Sequence, residues 1–210
     1  MYFKQIQVGG YDKNFVYFAG DETTREIAVV DPSNLALLQT WIDREKVIVK
    51  AILITHGHFD HTEGAAKLQE QTGAVAYMHP ANSAREGLMS DRIAPLNDGG
   101  VIDVGALKIK AIFTPGHTND SVCYLAENKL MTGDTLFIGG CGRCDLAGGS
   151  AKDLYLSLYG RIAKLPDDTE IYPGHDYGKQ PHSTLSWEKQ TNKYLRLKSQ
   201  DAFVAIRMGK

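Results

Sequence analysis

The sequence predicts a mixed α/β (α+β) fold in which two β-sheets pack together with helices outside. A β-rich meander opens the chain, a second begins at Val101, and each leads into strands that alternate with helical segments. With 43% hydrophobic and 23% charged residues, the chain can bury a core without disulfide staples. It contains no repeat, low-complexity tract or Pro/Gly/Ser linker, so one domain over residues 1–210 is expected.

The first meander comprises Tyr2 to Val8, Phe15 to Ala19 and Ile27 to Asp31, parted by the turn formers GGYDKN and GDETT. Asp31-Pro32-Ser33 then opens an amphipathic helix over Leu35 to Glu45, because Leu35, Leu38, Trp41 and Ile42 recur at helical spacing. Next come the strand AILIT from Ala51, a helix around Gly64 to Gln71, the strand AVAYM ending at Met78, and a helical stretch near Ala81 to Leu88. The second meander runs from Val101 through Ile109 to Phe113, then Val122 to Leu125 and Lys129 to Thr132. A helix over Ala151 to Leu165, a short strand Glu170 to Tyr172 and helical segments from about Ser183 complete the chain.

A net charge of −2 and a pI near 6.4, with no long basic run, give no attraction for polyanions, so no nucleic-acid partner is expected. The apolar runs fall far short of the ~20 residues that span a bilayer, and mean hydropathy is −0.26. No membrane helix is expected, and MYFKQIQVGG has no apolar stretch of signal-peptide length. Three cysteines do not make a disulfide framework, which fits a reducing, cytoplasmic setting.

The chemistry concentrates in T-H-G-H-F-D-H, residues 55–61, between a buried strand and a helix. His56, His58, Asp60 and His61 cluster there, a density that gives a hydrophobic core nothing. Three later segments, Pro115-Gly116-His117, Thr132-Gly133-Asp134 and Pro173-Gly174-His175, each follow a β-rich run and carry a glycine one position before a candidate ligand. Strand ends on one rim of a layered fold can converge. Neutral imidazole and carboxylate bind borderline divalent metals and leave positions open for substrate or water. A tight turn could direct His56 and His58 to one metal and Asp60 and His61 to another about 3.5–4 Å away, with Asp134 bridging. His79 and His182 read as ordinary surface or core histidines.

The order H-x-H-x-D-H, PGH, TGD and a final GH resembles the metallo-β-lactamase fold superfamily over the whole chain. The resemblance implies an αββα sandwich of two mixed sheets, with the site at one edge between them. GDTLFIGGCGRCD (133–145), IYPGHDY (171–177), GDETTREIAVVDP (20–32) and STLSWEKQTNKYL (183–195) resemble the persulfide dioxygenases, the ETHE-type sulfur dioxygenases. GCGR is shared with the glyoxalase II thioesterases, but those usually carry THHHWDH and a long C-terminal helical domain. THGHFDH and an end at Lys210 depart from that pattern.

The dioxygenase resemblance implies Fe(II) held by His56, His117 and Asp134, a two-His-one-carboxylate arrangement. The substrates would be a glutathione-type persulfide and O2, with sulfite and the free thiol as products. His58, Asp60, His61 and His175 would orient ligands and stabilise bound oxygen, which with Asp134 makes Asp60 and His175 the candidate catalytic residues. The thioesterase resemblance implies one or two Zn(II) on all seven ligands: His56, His58 and His117 on one, Asp60, His61 and His175 on the other, Asp134 bridging. The substrate is then an S-acyl-glutathione. Both branches place Arg143 and Tyr177 against the thiol substrate; the alternatives are an Arg143–Asp145 ion pair and a tyrosine capping its loop. Cys141 and Cys144 form a C-x-x-C outside any thioredoxin-like context, and Cys123 reads as a buried apolar residue. The resemblance also makes a homodimer an expectation.

Overall fold

A computed structural model describes residues 1–9, 12–82 and 87–209. Residues 83–86, half of the helical stretch expected near Ala81 to Leu88, lie outside the described residues.

The first sheet holds β1 (Tyr2–Gly9), β2 (Asn14–Gly20), β3 (Glu26–Val30), β4 (Ile48–Leu53), β5 (Val75–Met78) and β6 (Ile93–Pro95), in that spatial order. The first three form the expected antiparallel meander, whereas β3 to β6 run parallel. The crossover from β3 to β4 is α1 (Leu35–Glu45), capped by the Asn34 side chain. The step from β4 to β5 contains α2 (Phe59–Thr62) and α3 (Ala65–Thr72).

The second sheet repeats this plan with β7 (Val101–Val104), β8 (Leu107–Phe113), β9 (Val122–Ala126) and β10 (Lys129–Gly133) as an antiparallel meander. A two-stranded ribbon, β11 (Leu136–Phe137) with β12 (Gly140–Cys141), precedes α4 (Ala151–Gly160). β13 (Glu170–Pro173) then pairs parallel with β10, and β14 (Ser183–Thr184) lies at the edge. The helices α5 (Leu185–Thr191) and α6 (Gln200–Arg207) follow.

Three apolar clusters separate the four layers. Phe15, Tyr17, Val30 and Leu53 meet Ile109, Val122, Tyr124 and Met131 between the sheets. On β2 the intervening Val16 and Phe18 face the other way and join Leu38 and Leu68 beneath α1 and α3. Outside the second sheet, Leu154, Leu158 and Phe203 pack against Leu130 and Ile171. Both faces of each sheet are therefore covered, the αββα arrangement that the sequence implied.

Differences are local. The strand expected over Ile27 to Asp31 ends at Val30, because Asp31 turns to a positive φ of 53°. The expected helix from Ala151 stops at Gly160, and a 3-10 turn, Ile162–Lys164, replaces its last turn. β6, β11, β12 and β14 were not anticipated; two or three residues carry no readable alternation.

At the site edge the sheets are joined through polar contacts. Tyr124 on β9, fully buried, donates its hydroxyl to the Ile54 carbonyl at 2.8 Å, and Val122 N donates to the Thr55 carbonyl at 2.8 Å. Phe15 N likewise donates to the Gly174 carbonyl. Tyr124→Phe leaves a buried carbonyl short of its donor, and is expected to lower unfolding free energy by about 1–2 kcal/mol in urea titrations. An unchanged midpoint would mean that this contact contributes nothing to holding the sheets.

Candidate metal centre

Each candidate ligand leaves the end of a strand. His56 and His58 occupy the turn after β4, and Asp60 and His61 lie on the single-turn α2. His117 follows β8, Asp134 follows β10 and His175 follows β13. The glycines that precede ligands have steric reasons. At Gly133, φ is +47° and a Cβ would stand 2.5 Å from Thr55 Oγ1. At Gly174 a Cβ would stand 2.5 Å from Asp134 Oδ1 and 2.9 Å from His61 Cε1.

All seven candidate ligands converge. His56, His58 and His117 form one group and Asp60, His61 and His175 another, with donor atoms within 4.8 Å of one another in each. Asp134 lies between them: Oδ2 is 3.5 Å from His117 Nε2, and Oδ1 is 3.4 and 3.3 Å from the Nε2 atoms of His61 and His175. The triad His56, His61, Asp134 also meets that spacing.

The outward-facing nitrogens define what the inward ones can do. His117 Nδ1 lies 2.8 Å from the Arg143 carbonyl and His175 Nδ1 2.8 Å from the Asp12 carbonyl. A carbonyl only accepts, so both Nδ1 atoms donate. His61 Nδ1 donates to Asp31 at 2.9 Å, and Asp31 also accepts Thr55 Oγ1–H at 2.6 Å. With its proton so committed, the Thr55 hydroxyl accepts from His56 Nδ1 at 3.0 Å. In the neutral state four Nε2 lone pairs therefore point into the cluster. Those of His61 and His175 face each other at 3.2 Å, while His58 Nδ1 lies 3.0 Å from both His56 Nε2 and His117 Nε2. Asp134 Oδ1 is buried without a hydrogen-bond partner. Lone pairs and an orphaned carboxylate oxygen converging on one volume fit a divalent cation.

Titration behaviour follows from this crowding. Burial, reinforced by neighbouring imidazoles, pushes His56 well below the usual range, and burial with His117 lowers His58. At His61 burial also pulls downward, but Asp134, Asp31 and Asp60 outweigh it and the imidazole is pushed up to about 9. Asp134 resists burial because His61, His175 and His56 hold its carboxyl well below the ordinary carboxylate range.

The family model of the metallo-β-lactamase superfamily matches residues 22–175. The chain belongs to this superfamily. A Bacillus velezensis protein named "probable polyketide biosynthesis zinc-dependent hydrolase" is 33% identical over 198 residues, covering 94% of this chain and 88% of that one. A hydroxyacylglutathione hydrolase of Pseudoalteromonas translucida is 35% identical over 170 residues, covering 81% of this chain and 63% of the hydrolase. The crystal structure of ETHE1 from Myxococcus xanthus is similar at a TM-score of 0.90 and 30% identity, over 99% of this chain and 90% of that one.

Within this superfamily fold His58, Asp60, His117, Asp134 and His175 open on a cavity of about 540 Å³, lined also by Asp12, Phe59, Phe137, Arg143, Tyr177 and Arg207, while His56 and His61 lie behind it. Arg143 lines it while pairing with Asp145 through Nε and Nη2, each at 2.7 Å. Tyr177 stacks on His175 with ring centroids 4.9 Å apart and donates its hydroxyl to Asp12. Both alternatives weighed for these residues are thus realised together with cavity exposure. Cys141 and Cys144 are free buried thiols, pushed up by burial to about 12 and 11, the opposite of a reactive dithiol.

Four residues around the site escaped the sequence reading. Asp31 had a signal, an acid ending an apolar strand next to the histidine-bearing one. Asn14 donates to Asp60 Oδ2 at 2.9 Å, Asp12 supports His175 through its carbonyl, and Arg207 arrives from the last helix; none carries a motif.

Asp134→Asn keeps the shape but removes the charge between the two groups. It is expected to weaken divalent-metal affinity by more than about tenfold, the scale at which even supporting residues act, measured by competition with a chromophoric chelator. Unchanged affinity would remove Asp134 from the ligand set.

Proposed function

We propose that this protein is a thiol-substrate metalloenzyme, and that its reaction is the Fe(II)-dependent oxidation of a glutathione-type persulfide by O2. The supporting observation is the likeness to ETHE1 from Myxococcus xanthus along nearly the full length of both chains, joined to the GCGRCD and GHDY segments that line the cavity. The balanced reaction is RSSH + O2 + H2O → RSH + SO3²⁻ + 2H⁺.

His56, His117 and Asp134 would hold the iron. Bound there, Fe(II) supplies the one-electron chemistry that a persulfide and O2 need in order to react. The protein's own groups have definable tasks. Thr55 and the Arg143 carbonyl hold the rings of His56 and His117 with Nε2 inward. His61 is the buried base that retains a proton most strongly, poised between Asp31 and Asp134. Asp60 Oδ2 lies 3.5 Å from His61 Nε2 and 3.6 Å from His175 Nε2, so the three side chains form one polar group beside Asp134. Phe59, Phe137 and Tyr177 wall the cavity with aromatic surface, which suits the low-polarity sulfur end of a persulfide.

A second reading is hydrolytic, with His56, His58 and His117 on one zinc, Asp60, His61 and His175 on the other, and Asp134 between. It is favoured by the convergence of all seven donors into two groups and by the hydrolase names of two relatives. The substrate would be an S-acyl-glutathione thioester.

Two assays separate these readings. Anaerobically Fe(II)-loaded protein given glutathione persulfide is expected to consume O2 and release sulfite, and His117→Ala or Asp134→Ala to abolish both. Zinc-loaded protein is tested in parallel on S-lactoylglutathione. Absent O2 uptake with brisk thioester hydrolysis would overturn the dioxygenase and establish the hydrolase.

A further inference from the structure

Between Asp134 and Arg143 the chain passes through the smallest sheet of the molecule. The β11–β12 ribbon has two residues in each strand, with Leu136 opposite Cys141 and Phe137 opposite Gly140. A ribbon that short is marginal by itself. Asp134 nevertheless stands just before it, and Arg143, whose carbonyl fixes the His117 ring, stands just after it. Between β12 and Arg143, Gly142 passes so near the ligands that a Cβ there would strike the Asp134 carbonyl oxygen and stand 3.0 Å from His117 Cβ. Phe137 reaches the other half of the site, its ring centroid 5.9 Å from that of His175.

What holds the ribbon comes from α5 and the residue that ends it. Glu188 and Asn192 are both fully buried. Glu188 Oε2 accepts from Gly139 N at 2.9 Å and from Asn192 Nδ2 at 2.8 Å, and Oε1 accepts from Ser183 Oγ at 2.7 Å. Asn192 Nδ2 also donates to the carbonyls of Phe137 and Gly140, at 3.2 and 2.9 Å, while its Oδ1 accepts from Tyr194 N at 3.0 Å. Three backbone groups of the ribbon thus bond to these two side chains in addition to each other's strand. Ser183 ties the pair to the second sheet, because β14 runs beside β13, the strand that leads to His175. Burying a carboxylate is costly unless donors surround it. Here every donor on it belongs to a segment that frames the ligands or to Asn192.

We propose that Glu188 and Asn192 are positioning residues of the metal centre, acting through the β11–β12 ribbon on Asp134 and on the Arg143 carbonyl, and through that carbonyl on the His117 ring. The inference rests on the reading of the seven side chains as a metal centre, whichever reaction that centre performs. Its polarity is specific, since the ribbon needs an acceptor at 188 and a donor at 192. Glu188→Gln can keep its oxygen toward Gly139 N and Asn192 Nδ2 and turn its amide to the Ser183 hydroxyl, which also accepts. Asn192→Asp is just as close in shape, but it sets acceptors against the Phe137 and Gly140 carbonyls and against Glu188.

The test uses Co(II) as the probe ion, because its visible bands follow the geometry of its ligands, and reads affinity by competition with a chromophoric chelator. Glu188→Leu and Asn192→Asp are each expected to shift the Co(II) bands and to weaken affinity roughly tenfold, the lower end of what residues behind metal ligands cost. Glu188→Gln is expected to keep the wild-type bands and affinity. Leu38→Ala, in the core between α1 and the first sheet, controls for general loosening: it is expected to lower the melting temperature and leave the bands in place. If Glu188→Leu does not fold, the opposite responses of Glu188→Gln and Asn192→Asp decide the matter. Equal responses of those two near-isosteric variants overturn the proposal, as does a Leu38→Ala that moves the bands as far as Asn192→Asp. A wild type that takes up no Co(II) overturns the metal-centre reading and the proposal together, whereas unchanged variants of a Co(II)-binding wild type overturn the proposal alone.

Discussion

Four imidazoles whose outward protons are already committed must turn their lone pairs toward one another and toward Asp134. This electrostatic constraint governs the rest of the site. Without a cation, the facing nitrogens of His61 and His175 repel unless one is protonated, and the carboxylates of Asp134, Asp31 and Asp60 favour the proton on His61. A metal relieves the whole cluster at once, because each donor then meets positive charge. The second nitrogens are what make the arrangement directional. Had His117 or His175 lacked a carbonyl at Nδ1, its ring could take the other tautomer and offer a proton inward.

Those outer partners come from distant parts of the chain, which explains why a sandwich suits the task. Asp31 follows β3, Thr55 follows β4, Asp12 precedes β2 and Arg143 follows β12. None of these is near its histidine partner in sequence except Thr55. Only after the sheets have packed, with Val122 N on the Thr55 carbonyl and Phe15 N on the Gly174 carbonyl, do these groups come within reach. Fold stability and ligand geometry are therefore coupled at the same edge. The glycines before Asp134 and His175 allow the close approach there, since any side chain would strike Thr55 or the ligands themselves.

The donor set was legible because it is local and dense: THGHFDH states itself, and three strand-end motifs repeat one pattern. The layered fold was legible too, since each meander and its following β-α-β unit read from hydrophobic alternation. Less was visible where chemistry acts through the backbone. Asp12 holds His175 by a carbonyl that every residue possesses, so its side chain gives no hint. Asn14 is an ordinary strand-opening residue until β2 docks beside α2. Arg207 shows only as the polar end of an amphipathic helix, and its approach to the cavity depends on how α6 packs against α4.

The same separation of partners bears on how one scaffold can serve one-metal and two-metal chemistry. Thr55 and the Arg143 carbonyl support His56 and His117, whereas Asp31, the Asp12 carbonyl and Asn14 support His61, His175 and Asp60. The two halves therefore draw on different segments but meet at Asp134 and at the hydrogen bond from Thr55 to Asp31. Which half is filled then depends on these remote supports and on the metal available, since imidazole and carboxylate accept either iron or zinc. The seven side chains supply donors of the kind that bind a divalent cation, and the residues behind them set the geometry of each donor.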